Sequence, residues 1–272
     1  MLDGLVVLGV ALIAGAGITR AVVAAVSMTF VQFAIGAAND FVDAPADAGR
    51  KPGKPIPSGQ VGRRLAPVVA LVAAGSGIAL AFAVDRALGA LAVVVLLIGL
   101  AYDLRFKGTA WSWLPFAVGI PLLPVYGWLG AQSTLPVLFA VVVPIASVAG
   151  AGLAIANSIV DVERDRAAGG ASVAVAIGPR SAGILALVLQ VAVAGCALVA
   201  GAFIGLSGPW LVTVAVAGLA LVAGAEWSRR VAGQGGVRVA RREHAWRLQA
   251  IAGGSLVIAW LAAALEAGAL ES

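Results

Sequence analysis

Long apolar runs separated by short polar stretches organise this chain. Nine such runs stand out, at about residues 2–18, 21–38, 65–84, 88–102, 111–129, 135–159, 182–206, 210–227 and 248–265. None alternates apolar and polar residues as a half-buried strand does. In hydrocarbon the backbone must satisfy its own hydrogen bonds, so runs of this length predict membrane-spanning helices. The expected fold is all-α and integral to the membrane, with about nine transmembrane helices in a single domain over residues 1–272. The first run is short and carries Asp3.

The polar stretches divide by charge. Of eighteen Lys and Arg residues, all but Arg20 and Arg86 fall in alternate connections. The positive-inside rule makes that side cytoplasmic. An odd number of spans then places the N-terminus inside and the C-terminus outside. Most acids share the basic side: Asp40, Asp43, Asp47, Asp103, Asp161, Glu163, Asp165, Glu226 and Glu243. Tyr102, Trp111, Trp113, Trp128, Trp210 and Trp227 lie near span ends and read as interfacial anchors.

Composition fits the same solvent. Apolar residues make up 61% and charged residues 11%, against about 25% charged in a soluble domain. The net charge of +5 is spread over short loops, which argues for topology and against a nucleic-acid groove. Cys196 stands alone in an apolar run, so no disulfide framework is expected and the thiol reads as a small buried group. The first run lacks a basic leader, so no cleavable signal peptide is expected. His244, in the last basic connection, reads as solvated.

Candidate chemistry sits in two similar segments. Asn39-Asp40-Phe41-Val42-Asp43-Ala44-Pro45-Ala46-Asp47 and Asn157-Ser158-Ile159-Val160-Asp161-Val162-Glu163-Arg164-Asp165 both read Asn-x-x-x-Asp-x-x-x-Asp. They close the second and sixth spans and suggest an internal duplication. Spacing by four puts Asn39, Asp43 and Asp47, and likewise Asn157, Asp161 and Asp165, on one helical face. Like charges at that spacing repel, so the pattern makes sense if cations bridge them. All-oxygen ligands suit Mg²⁺, which takes one or two carboxylates and completes its shell with phosphate and water. Two such faces opposed across a cavity would hold a diphosphate between metal ions. Asp40, one step off the face of Asp43, is a further candidate ligand, and Pro45 is expected to bend the helix near Asp43. Lys51, Lys54, Arg105, Lys107 and Arg164 are candidate diphosphate contacts that would stabilise the leaving charge. A transporter is the alternative from another class, but transporters hold their ionisable groups near the bilayer midplane, and these acids lie at one face.

These residues resemble the UbiA superfamily of intramembrane prenyltransferases. Asn39, Asp40, Asp43 and Asp47 are similar to its first Asp-rich motif, and Lys54-Pro55-Ile56-Pro57-Ser58-Gly59 to the element that follows. Tyr102-Asp103-Leu104-Arg105-Phe106-Lys107 resembles its tyrosine–lysine element, and Asp161 and Asp165, with Gly169 and Gly178, its second motif. The likeness covers residues 20 to 180. Two features depart from the pattern: no Arg-Pro pair precedes the first run, and Gly170-Ala171-Ser172 replaces a basic stretch. The resemblance implies nine helices around a central cavity and Mg²⁺-bound prenyl diphosphate. It also implies an allylic cation captured by an acceptor, often an aromatic ring carbon. It assigns Asp43, Asp161, Lys107 and Tyr102 to the chemistry, the Tyr102 ring face steadying the cation. A UbiA-type terpene cyclase, which closes the substrate on its own double bond, is the alternative within the family.

Overall fold

The computed structural model of the chain describes residues 2–47, 54, 56, 58–232 and 239–270, and the described residues form helices, turns and loops without a strand. The chain divides into two compact units. One comprises Met1–Arg105 with Tyr126–Gln132, the other Phe106–Val125 with Ser133–Ser272.

The first unit is built from α1 (Leu2–Ile13), α2 (Ile18–Asp47), α3 (Leu65–Val84) and α4 (Arg86–Ala101), with a π-helical turn at Tyr102–Phe106. Small residues let these helices approach closely, as in membrane bundles generally. A Cβ at Gly77 of α3 would stand 2.9 Å from the Ser27 carbonyl oxygen of α2. The Ser27 hydroxyl donates to the Gly77 carbonyl at 2.8 Å and shares a 2.6 Å hydrogen bond with the Tyr126 hydroxyl. Asp85 alone joins α3 to α4. Its backbone is extended, its N–H closes α3 on Ala81, and its carboxylate accepts from the Ala87 N–H at 2.7 Å to cap α4.

The second unit contains α5 (Leu114–Gly119) and the start of α6 (Leu122–Leu129). Then follow α7 (Phe139–Val160), α8 (Val162–Ala167), α9 (Val173–Ala176), α10 (Pro179–Phe203), α11 (Gly208–Ala232) and α12 (Val239–Glu266). A Cβ at Gly150 would collide with the Phe116 carbonyl, so α7 and α5 meet backbone to backbone. Side-chain amides and indoles stitch the longer helices. Gln190 donates to Ala149, Trp246 to Leu153, Trp260 to Ala197 and Gln249 to the Ser228 hydroxyl, at 2.6 to 3.2 Å.

Among the described residues seven helices are long and apolar enough to cross a membrane, and Leu2–Ile13 and Leu114–Leu129 are shorter apolar elements. Each of the nine apolar runs therefore carries helix, but two fall short of a full crossing length. Helix in the first run ends at Ile13, after twelve residues. The fifth breaks between Gly119 and Leu122, where Pro121 has no N–H to continue the ladder. The outward apolar faces match a lipid solvent: Phe203 is 86% exposed and Leu71 73%.

α2 stays helical through Pro45 and ends only at Asp47. Two expectations change. Cys196 is exposed. The buried stripe of α10 runs Ala182, Ala186, Gln190, Val193, Ala197 and Gly201, and Cys196 lies one residue, about 100°, off it. Trp128 is 5% exposed and packs inside its unit, unlike a surface anchor. His244 is exposed, as expected, but it lies on α12 and not in a connection.

Candidate functional site

The last turns of α2 gather one acidic cluster. The Lys54 ammonium stands 2.8 Å from Asp40 Oδ1, 3.7 Å from Asp43 Oδ2 and 2.9 Å from Asp47 Oδ2. Asp47 is fully buried and Asp43 half-buried. Three carboxylates thus face a single cation position, and Asp40, one step off the stripe, shares it. Burial of Lys54 would by itself lower its pKa. The hydrogen bonds it donates to Asp40 and Asp47, with the attraction of their charges, outweigh that and hold the ammonium above its ordinary value. The same helix turns bring the Asn39 amide to Asp103 on the π-helical turn, Nδ2 donating to Oδ1 at 2.6 Å.

In the second unit α7 ends at Asp161, whose φ of −101° and ψ of 9° lie in the bridge region, and α8 resumes at Val162. Asp165 stays on the turn that Asp161 opens, its N–H bonded to the Asp161 carbonyl at 2.9 Å. Arg164 Nη2 lies 3.1 Å from Asp161 Oδ2 and 3.5 Å from Asp165 Oδ1. This cluster, like the first, holds a basic side chain of its own segment between its acids. Asn157 is half-buried one turn before Asp161, on the buried end of α7. Its neighbour Ser158 donates to the Ile155 carbonyl and accepts from the Ala174 N–H at 3.2 Å, tying α7 to α9.

Tyr102 and Arg105 lie on the π-helical turn, and Lys107 follows it. Tyr102 and Lys107 are half-buried, whereas Arg105 is exposed. The loop carrying Lys107 is fixed to the loop after the second motif, because the Ala171 N–H donates to the Gly108 carbonyl at 2.7 Å. Gly108 has a φ of +73°, a turn conformation that suits glycine. Lys51, Pro55 and Pro57 lie outside the described residues.

Sequence reasoning passed over two residues beside these clusters. Asp103 is 6% exposed and follows the buried α4 stripe of Leu88, Ala92 and Val95 at helical spacing. Arg242 is also 6% exposed. Its Nη1 donates to both Glu163 oxygens, at 2.8 and 2.6 Å, and to the Ile159 carbonyl at 3.3 Å. It belongs to the last basic connection by charge, yet it starts the buried stripe Arg242, Ala245, Gln249, Ala252 and Leu256, and that periodicity is legible in the sequence.

The donor set suits a hard divalent cation: carboxylate and amide oxygens, with neither thiolate nor imidazole. Among the described residues no three acidic, His or Cys groups form a ready metal cage. Mg²⁺ needs none, since it typically takes one or two carboxylates and fills the rest with phosphate and water. The three acids of α2 here meet the Lys54 ammonium.

Comparison with known proteins points one way. A profile described as the UbiA prenyltransferase family matches residues 4–248. The chain is 38% identical over 99 residues to digeranylgeranylglyceryl phosphate synthase of Methanopyrus kandleri, covering 36% of each chain. It is 31% identical over 196 residues to the chloroplastic chlorophyll synthase of Oryza sativa, covering 64% of this chain and 52% of that one. The matches thus span about a third and about half of these relatives' lengths. Among solved structures it is similar to a UbiA homolog from Aeropyrum pernix K1, with a TM-score of 0.74, 18% identity and 97% of each chain covered. A UbiA homolog from Archaeoglobus fulgidus bound to DMAPP and Mg²⁺ has a TM-score of 0.69 at 16% identity, with 94% of this chain and 95% of that one covered.

Proposed function

Because the chain belongs to the UbiA prenyltransferase family, we propose that it moves a prenyl group from a prenyl diphosphate to an acceptor within the membrane, with Mg²⁺ as cofactor. The observation that carries this reading is the convergence of Asp40, Asp43 and Asp47 on one cation position at the end of a long apolar helix. The Archaeoglobus relative with DMAPP and Mg²⁺ supports the donor and the metal.

In this proposal Asn39, Asp40, Asp43, Asp47, Asn157, Asp161 and Asp165 hold Mg²⁺ through oxygen atoms, directly or through water. Bound Mg²⁺ would neutralise the diphosphate as the allylic C–O bond breaks. Lys51, Lys54, Arg105, Lys107 and Arg164 bind the diphosphate, which leaves with the bonding electron pair. Lys54 and Arg164 would turn from their carboxylates to phosphate oxygens when substrate arrives. The Tyr102 ring face steadies the allylic cation until an acceptor carbon attacks it and loses a proton. Apolar walls keep water from the cation. The acceptor we propose is aromatic, the reaction lies on the cytoplasmic side, and the whole chain acts as one catalytic domain.

The test uses purified protein in nanodiscs with allylic diphosphates of graded length. Aromatic acids, a glycerol phosphate lipid or no acceptor are added, with and without Mg²⁺, and products are read by mass spectrometry. A Mg²⁺-dependent prenylated aromatic is expected. Product on the glycerol phosphate lipid alone would replace the acceptor, a cyclised hydrocarbon without acceptor would mean a cyclase, and diphosphate left unconsumed would overturn the reading. Asp43→Ala and Asp161→Ala should each lower turnover by more than about a hundredfold, the upper range for outer-shell partners of a metal, while the folded yield stays unchanged.

A further inference from the structure

The Asn39–Asp103 pair does more than join α2 to the end of α4. Its geometry decides which end of the Asn39 amide faces the acid cluster. A carboxylate only accepts hydrogen bonds, so the Asn39 NH₂ must face Asp103, and it does so at 2.6 Å. The amide is planar, with its oxygen on the other branch. Asn39 Oδ1 is therefore turned away from Asp103. Asn39 lies one turn before Asp43 and two before Asp47, on their helical face. That oxygen is a neutral, hard donor, which is what Asn can offer a Mg²⁺ ion.

The contact is aligned by the helices. Gly99 of α4 packs directly on Ile35 of α2. Both chains then advance four residues in the same sense, and the next rung is Asp103 against Asn39. Asp103 is 6% exposed and sits on the π-helical turn Tyr102–Phe106, a form frequent at functional sites. Burying a carboxylate is expensive unless donors meet it. A plain packing contact between these helices would be served as well by two neutral groups. A carboxylate does what a second amide does not: in its ionised form it accepts only, and so excludes the flipped amide.

We propose that Asp103 is a positioning residue that fixes the Asn39 amide with its carbonyl oxygen toward the metal of the first Asp-rich motif. This rests on the Mg²⁺–diphosphate reading above. Outer-shell partners of this kind change metal affinity by about 10- to 100-fold when removed.

The experiment measures Mn²⁺ binding by electron paramagnetic resonance in detergent-solubilised full-length protein, with and without inorganic diphosphate. It compares wild type, Asp103→Asn, and the exchange Asn39→Asp with Asp103→Asn. Asp103→Asn keeps the shape but lets the amide flip, and Mn²⁺ affinity should fall by about tenfold. The exchange restores a fixed donor–acceptor pair with an oxygen toward the metal, and affinity should return to near wild type. Folding is monitored by thermal unfolding, and the exchange variant keeps the test decisive if the single variant is lost. If folded Asp103→Asn binds Mn²⁺ as wild type does, or the exchange binds no better than the single variant, the positioning role is overturned and the metal reading stands. If wild type binds no Mn²⁺ even with diphosphate, both fall.

Discussion

Lys54 shows how one side chain can serve two states of a site. Its ammonium replaces bulk solvent as the counter-ion of Asp40, Asp43 and Asp47. The same position is the one proposed for a divalent ion, so the two compete. Lys54→Met should tighten Mn²⁺ binding in the absence of diphosphate, by up to about tenfold, or about 1.4 kcal/mol, and weaken binding of inorganic diphosphate. Looser Mn²⁺ binding in a folded variant would mean that the lysine recruits the metal indirectly. The pH dependence follows from the raised pKa of Lys54. A cation with a raised folded-state value contributes stability below its unfolded value of about 10.4 and loses it as pH climbs through the folded value. The stability gap between wild type and Lys54→Met should therefore be flat from about pH 6 to 9 and close only in strong alkali. Sequence spacing put the acids of α2 on one face; it could not show that the loop lysine would stand among them, because that depends on where a Pro-rich loop returns.

At the scale of elements, Arg242 fastens α12 to the break between α7 and α8. It meets the Ile159 carbonyl, which the helix break leaves without a regular partner, and Glu163, which lies between Asp161 and Asp165. Arg242→Leu should lower stability by about 1–3 kcal/mol, the range for stranding buried polar groups. Glu163→Gln should lower it by less than about 1 kcal/mol, since Glu163 is 61% exposed. Thermal unfolding of the two variants checks this, and equal losses would mean that the ion pair, and not the carbonyl, holds the junction. The sequence made the helices themselves legible, because length and apolar content dictate them in lipid. It was less informative where local chemistry interrupts a run. Pro121 splits the fifth run whereas Pro45 leaves α2 unbroken, and composition alone does not separate these cases. The π-helical turn was hidden for a related reason: one residue of excess in a helix leaves no mark in an apolar pattern.

At the scale of the whole molecule, each acidic cluster carries its own basic partner, Lys54 in one unit and Arg164 in the other. The fold therefore does not depend on a divalent ion to quiet repulsion between carboxylates. Stripping the purified protein with a chelator should leave its Tm unchanged. Mg²⁺ with inorganic diphosphate near a hundred times its Kd should add about 2.7 kcal/mol of stability. A fall in Tm on chelation alone would show a structural metal. The length of α2 has a further consequence. Residues 18–38 rise about 31 Å along the helix, close to the roughly 30 Å thickness of a bilayer's hydrocarbon, and residues 39–47 follow without a break. The helix is in effect a ruler whose zero mark is the first asparagine of the motif. The proposed prenyl diphosphate donor would straddle the same boundary, oily tail below and charged head above. Turnover in vesicles of graded acyl length should thus peak where the membrane matches this ruler and fall as thicker lipid draws the carboxylates below the headgroups.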